Sequence, residues 1–362
     1  MDSDNENITG NERLRGRGAQ IHARNRFLKH EIVTEYIEGL DEPFLTNSKT
    51  EVFIENPRKL VNKMTSPDVG MMSSANPYQG CEHGCIYCYA RNTHNYYGFS
   101  AGLDFERKII VKPNAAVLLR KHFDNKNYKV GSITFSGNTD CYQPLERRYK
   151  ITRSLLEVML EYKNPTGIIT KNSLILRDID LLSELAKLNL VHVMVSITSL
   201  REEVRQMLEP RTATAKNRLK VIEELSKNNI PVGVMTAPII PGLNGNEIPD
   251  IIKEVAERGG VTAGFTIVRL NGEIASIFKD WLDKTLPDAA NKIWKQIKEC
   301  HGGQVNDSRF GTRMSGEGKI AESIRQLFHM AKNKYMQGRS MPNYDFSLFE
   351  RPVRAGGQMQ LF

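Results

Sequence analysis

No apolar run in the sequence reaches the ~18 residues that a membrane-crossing helix needs, and the first thirty residues are polar, without the apolar stretch of a signal peptide. The sequence therefore predicts a cytoplasmic protein with no membrane partner. It also lacks the cysteine pattern of a secreted disulfide framework. Of five cysteines, three fall within eight residues, and Cys141 and Cys300 stand alone. That distribution points to metal chemistry in a reducing compartment. No repeat or low-complexity block is present either.

What is present is a globular balance, 40% hydrophobic and 25% charged over 362 residues, enough to bury a sizeable core. The formal charge of +8 is a small bias toward polyanionic partners such as nucleic acid. Arg13, Arg15, Arg17, Arg24, Arg26 and Lys29 form a basic run, and residues 1–68 read as an N-terminal arm: a solvated tail packing on the body, or a nucleic-acid contact.

From about residue 70, β-branched runs alternate with amphipathic stretches, the pattern of repeated βα units and a parallel sheet. The expected strands are 75–80, 131–137, 166–170, 191–197, 230–236 and 261–268. Ile179, Leu182, Leu185 and Ala186 share one helical face, as do Ile248, Ile251, Ile252, Val255 and Ala256. Periodicity leaves two architectures open, a doubly wound sheet or a curved partial barrel. Residues 69–270 are the expected core, 271–337 a helical extension, with Ile320, Ile324, Leu327 and Phe328 on one face, and 338–362 a docked tail.

Cys81-x3-Cys85-x2-Cys88 lies on a loop after the first expected strand, with Gly80 and Gly84 allowing a tight backbone path. Three thiolates on one loop can each take one iron of a cubane and leave the fourth iron without a protein ligand. A zinc site is the alternative, with His83, His94 or Cys141 as fourth ligand. Such a protein would be a zinc-stabilised nucleic-acid binder; a non-catalytic iron–sulfur redox protein is a third possibility.

Cys-x3-Cys-x-aromatic-Cys, with Tyr87 as the aromatic, resembles the signature of the radical S-adenosylmethionine (SAM) superfamily. The run from Asn76 through Asn92-Thr93-His94 and Gly102-Leu103-Asp104-Phe105-Glu106 is similar to the bacterial subfamily related to spore photoproduct lyase, over residues 75–330. The resemblance implies a partial (β/α)6, TIM-like barrel carrying a 4Fe-4S cluster on Cys81, Cys85 and Cys88. It further implies reductive cleavage of SAM to a 5′-deoxyadenosyl radical, an electron donor of flavodoxin or ferredoxin type, and an unidentified substrate, nucleic acid being one candidate.

By the same resemblance Ser136, Gly137 and Asn138 would meet the SAM ammonium, Lys171 its carboxylate, Ser196 the ribose and the stretch around Ile239 the adenine, while Tyr87 shields one side of Cys88. Arg269, at the end of the sixth strand, is a further candidate for SAM or substrate. The sequence departs from spore photoproduct lyase where that enzyme carries a hydrogen-donating cysteine, since Phe135 stands there. Cys141 lies nearby as a candidate catalytic donor. Tyr142, Gln143, Glu146, His94 and Tyr96 complete the expected surroundings of the opening.

Overall fold

The β-branched runs form strands and the 3.6-period stretches form helices in the computed structural model, which describes residues 16–19, 21, 50–70 and 72–352. Ten strands occur among them: β1 Glu51–Ile54, β2 Val61–Lys63, β3 Ser73–Ala75, β4 Tyr78–Gln79, β5 Lys108–Val111, β6 Ile133–Phe135, β7 Thr166–Thr170, β8 Val191–Ser196, β9 Val232–Ile239 and β10 Thr262–Ile267. Helices α1 Leu103–Arg107 and α2 Ala115–Asp124 precede β6, and α3 Glu146–Tyr149 and α4 Ile151–Glu161 precede β7. After β7 come α5 Ile179–Lys187, α6 Glu202–Leu208, α7 Ala215–Lys227, α8 Ile248–Glu257, α9 Ile274–Thr285, α10 Pro287–Glu299 and α11 Gly318–Met336. No described helix is long and apolar enough to cross a membrane.

The main sheet has the order β10-β9-β8-β7-β6-β3-β2, with every pair parallel except the β2–β3 edge. The order of the six parallel strands never reverses. A doubly wound sheet needs a reversal, with helices on both faces. Right-handed crossovers that always step the same way keep the helices on one face, and the sheet curls toward a barrel. Because β10 and β3 do not pair, the barrel is partial. Along β8 the buried Val191, Val193 and Val195 alternate with half-buried His192 and Met194, so one face packs under helices while the other lines the concave side.

The structure corrects several sequence expectations. The first strand, expected over 75–80, divides: β3 joins the main sheet, whereas β4 pairs antiparallel with β5. Pro77 between them has no N–H to continue a ladder. With β1, these form a second, three-stranded sheet that the sequence did not suggest. The second strand stops at Phe135 because Ser136 takes φ +68°. The fifth runs on through Pro238 to Ile239, beside a register shift between Phe265 and Ile267 on β10, an irregular place where a missing N–H is tolerated.

Within the expected arm, residues 51–54 and 61–63 are strands, and Leu60 and Val61 belong to the core. Arg17 is buried rather than solvated, and the other basic residues of that run lie outside the described residues. At the far end, the Tyr344 ring stacks on His192 with centroids 3.9 Å apart, and Phe349 enters an aromatic group with Phe123, Tyr128 and Tyr162.

Candidate cofactor site

Parallel strands put all their carboxyl ends on one edge, so Ser136, Lys171, Ser196 and Ile239, each at or just past the end of its strand, rise from the same rim. The cysteine loop leaves that rim after β4 and is followed at once by a 3-10 helix, Tyr89–Tyr97. It is clamped by main-chain bonds: Cys81 N to Phe105 O, 2.9 Å, Ile86 N to Leu208 O, 3.0 Å, and Cys88 N to Cys85 O, 3.3 Å. Gly84 sits at φ +68°, and a Cβ there would stand 2.9 Å from the Glu106 carboxylate, a place with no room for a side chain.

Two buried carboxylates brace the loop. Behind it, Glu106 pairs with Arg91 and accepts from Gly18 N at 3.1 Å and Ala19 N at 2.7 Å, while Arg17 donates to the Glu106 carbonyl. Residues 17–19 are thereby drawn under the loop, and a Cβ on Gly18 would stand 1.7 Å from the Gly84 oxygen. Glu209 stands on the other side. Its carboxylate accepts from the Tyr87 and Thr198 hydroxyls, pairs with Arg218, and meets Lys171 Nζ at 3.1 Å. Arg218 also donates to the Ser196 carbonyl at 2.9 Å, and Lys171 Nζ lies 5.5 Å from the Tyr87 ring centre. Burial would raise the Glu209 pKa, but Arg218 and Lys171 overcome it and hold the carboxyl far below its ordinary range. Tyr87, Lys171 and Ser196 thus join one network whose centre, Glu209, the sequence reading missed. The only local signals were an acidic residue just past α6 and an arginine on the apolar face of α7.

A third acidic residue links the strand ends. Asp140 accepts from Thr170 Oγ1 at 2.9 Å and from Lys171 N at 2.8 Å, and lies 3.4 Å from His83 Nδ1. Within the glycine-rich element, Gly137 O accepts from Tyr89 at 2.6 Å, Asn138 N donates to Asn76 Oδ1 at 2.9 Å, and Asn138 Nδ2 reaches Gln79 and Thr93. The turn is therefore tied to the cysteine-loop side of the rim.

Several expected site residues are placed differently. Lys171 is not a lone cation, since Glu209 already pairs with it. The Ile239 side chain is fully buried in the core between sheet and helices, whereas Ile240 packs in the cluster that contains Cys85 and Tyr87. Cys141 is enclosed in that same sheet–helix core, with burial pushing its thiol pKa well up. The thiol read from the sequence as a candidate hydrogen donor or fourth ligand thus lies within packed apolar side chains.

Tyr142, Gln143, Glu146 and His94 are likewise buried, while Tyr96 is exposed. Gln143 braces the loop by donating to Gly80 O at 3.1 Å and accepting from Glu82 N at 3.2 Å. Arg269 is half-buried, and burial together with Arg313 lowers its pKa.

Cys81 and Cys85 are buried and Cys88 is partly so, all three as free thiols whose pKa is raised first by burial. A cation bound by thiolates would offset that cost. Among the described residues no group of three or more His, Cys, Asp or Glu side chains is assembled to hold a metal ion as it stands, so the test of fit rests on the donor set. Three soft donors on one loop, with Lys171 and Arg91 acting on them, suit an iron–sulfur cluster. Of the fourth ligands a zinc site would need, His83 is held by Asp140 and Asn172, while His94 lies among rings and Cys141 in the core.

The model of the radical SAM superfamily matches residues 75–255. An uncharacterised protein of Mycobacterium tuberculosis is 30% identical over 221 residues, 60% of this chain and 65% of that protein, so the match spans somewhat less than two thirds of that relative. One from Methanocaldococcus jannaschii is 28% identical over 67% of this chain and 86% of its own length. Among solved structures, spore photoproduct lyase complexed with dinucleoside spore photoproduct superposes with a TM-score of 0.59 over 79% of this chain and 80% of that one, at 15% identity, a likeness of fold. With the family model covering half of the sequence and the partial barrel carrying its cysteine loop at the rim, the chain belongs to the radical SAM superfamily.

Proposed function

We propose that the chain is an enzyme whose core, residues 69–270, holds a 4Fe-4S cluster on Cys81, Cys85 and Cys88 and binds SAM between that loop and the ends of β6 to β9. The observation that carries the proposal is the Glu209 network, which gathers Tyr87 from the loop, Lys171 from the end of β7 and Ser196 from the end of β8. A merely redox-active or zinc-stabilised protein has no need of a cation from one strand end and the main chain of another tied by one carboxylate to the cysteine loop.

Bound together, cluster and SAM supply one-electron cleavage of the sulfonium carbon–sulfur bond, giving methionine and a 5′-deoxyadenosyl radical. The chain's own groups bind and orient. Lys171, with one of its three donors on Glu209, offers the others to the SAM carboxylate. The Gly137 carbonyl keeps a second lone pair, and with Ser136 and Asn138 it meets the SAM ammonium. Ser196 Oγ takes the ribose, the Ile239 main chain runs along the adenine, and Ile240 forms the apolar wall. Tyr87 keeps water from one side of Cys88.

Nucleic acid is the proposed substrate class. It is supported by the charge of +8 and by half-buried Arg269 past the end of β10, and the solved neighbour holds a dinucleoside photoproduct. An electron donor of flavodoxin or ferredoxin type, in the cytoplasm, completes the proposal.

The test is anaerobic reconstitution with iron and sulfide, reduction with dithionite in the presence of SAM, and chromatography for 5′-deoxyadenosine, with Cys85→Ala as control. Product from the wild type alone supports the reading. A loaded cluster that gives no product, or a chain that takes up only zinc, overturns it.

A further inference from the structure

Glu209 is fully buried, and its carboxylate is shared by four parts of the fold: Tyr87 of the cysteine loop, Lys171 past β7, Thr198 past β8 and Arg218 on α7. Its own main chain is fixed as well, with Glu209 N donating to Arg205 O at 2.7 Å and Arg205 NH1 donating to Glu209 O at 2.7 Å. A buried carboxylate survives where cations and donors replace its water. Here one negative charge stands between two cations, so the unit carries one positive charge in excess. Glu209, Lys171 and Arg218 all act on Cys85. Lys171 is held by Glu209 from below and by the Tyr87 ring beside it, and an ammonium so placed has two donors left.

We propose that Glu209 is a positioning residue of the cofactor site, holding Lys171 and Tyr87 in one frame for an incoming carboxylate and setting the charge felt at Cys85. Glu209 acts on the incoming carboxylate through Lys171 and Tyr87, and on Cys85 by its own charge. The inference rests on the cofactor reading above, and its signature follows from that division of labour. Without Glu209 the excess charge beside Cys85 doubles, which favours electron uptake by a bound cluster. Lys171, though freed of its partner, loses its orientation, so a carboxylate ligand is held less well despite the greater positive charge.

The experiment uses the full chain, reconstituted anaerobically, as wild type, Glu209→Gln, Lys171→Met and the double variant. Two quantities are read: the SAM dissociation constant by equilibrium dialysis and the cluster midpoint by an EPR-monitored redox titration, with iron per chain and thermal midpoint as fold controls. Glu209→Gln is expected to weaken SAM binding roughly tenfold and to move the midpoint to more positive potential. In the Lys171→Met background its further effect on SAM should be much smaller than tenfold.

SAM binding unchanged or tightened in Glu209→Gln overturns the proposal, since tightening would make Glu209 a competitor for Lys171. An unmoved midpoint overturns it too. If Glu209→Gln does not fold, Thr198→Val removes one donor but keeps every charge; a loss of roughly threefold in SAM affinity is expected, and none overturns the proposal. A wild type that loads iron yet binds no SAM sinks the functional reading together with this one. Normal SAM binding by Glu209→Gln sinks this one alone.

Discussion

His94 lies among the rings of Phe99 and Phe105, at centroid distances of 5.3 and 5.5 Å, and burial pushes its pKa down to about 4. In the unfolded chain the same imidazole titrates near 6.5. Between those values the unfolded state binds more protons, so the stability due to the neutral, buried ring is complete above pH ~6.5 and is lost as the pH falls toward 4. Urea unfolding at pH 7 and pH 4.5 is expected to show a loss in the wild type about 2 kcal/mol larger than in His94→Phe, which keeps a ring and removes the proton site. Parallel pH profiles for the two proteins would show that His94 is solvated. Sequence could not separate this histidine from a ligand, since burial among aromatic rings depends on Phe99 and on α1, which return to it only in the folded chain.

The cysteine loop was the most legible element of the sequence, because its spacing is dictated by chemistry and survives without packing information. Its braces were not legible. Glu106, Glu209 and Arg218 look like surface charges until three separate segments close around them, and Gly16-Arg17-Gly18-Ala19 looks like a tail until Gly18 meets the Gly84 carbonyl. The atoms that a Gly18 Cβ would strike are main chain, Gly84 O and C and Ile86 N, so no side chain can yield. Gly18→Val is therefore expected to cost about 1–3 kcal/mol and to lower iron per chain after reconstitution. Wild-type iron content together with a wild-type thermal midpoint would mean that the segment does not seat there.

The strand order across the molecule was only half legible. Six βα units could be counted, but curvature could not, because the same periodicity serves a sheet that reverses and one that does not. The tail shows what closes the architecture: Phe349 lies 5.8, 5.3 and 6.4 Å from the rings of Phe123, Tyr128 and Tyr162, and Glu350 N donates to Tyr162 O at 3.1 Å. These contacts stitch the chain's last described residues to α2 and α4, far from the rim. Phe349→Ala is expected to lower the unfolding free energy by about 2 kcal/mol and leave iron uptake at the wild-type level. Lost iron uptake would mean that the two ends of the barrel are coupled.

The seat of residues 17–19 beneath the loop joins positions nearly ninety apart in the chain. During synthesis Gly18 leaves the ribosome long before Glu106 exists to receive it, so the loop is completed from behind only late in its own assembly. Metal delivery to the thiols and docking of this short strap then share one folded state. By mass action, whatever binds that state strengthens the other event, and iron loading should slow proteolytic clipping near Arg17 just as a lost strap should make iron easier to strip. The most upstream residues described here thus work as a latch for a loop that begins more than sixty residues later.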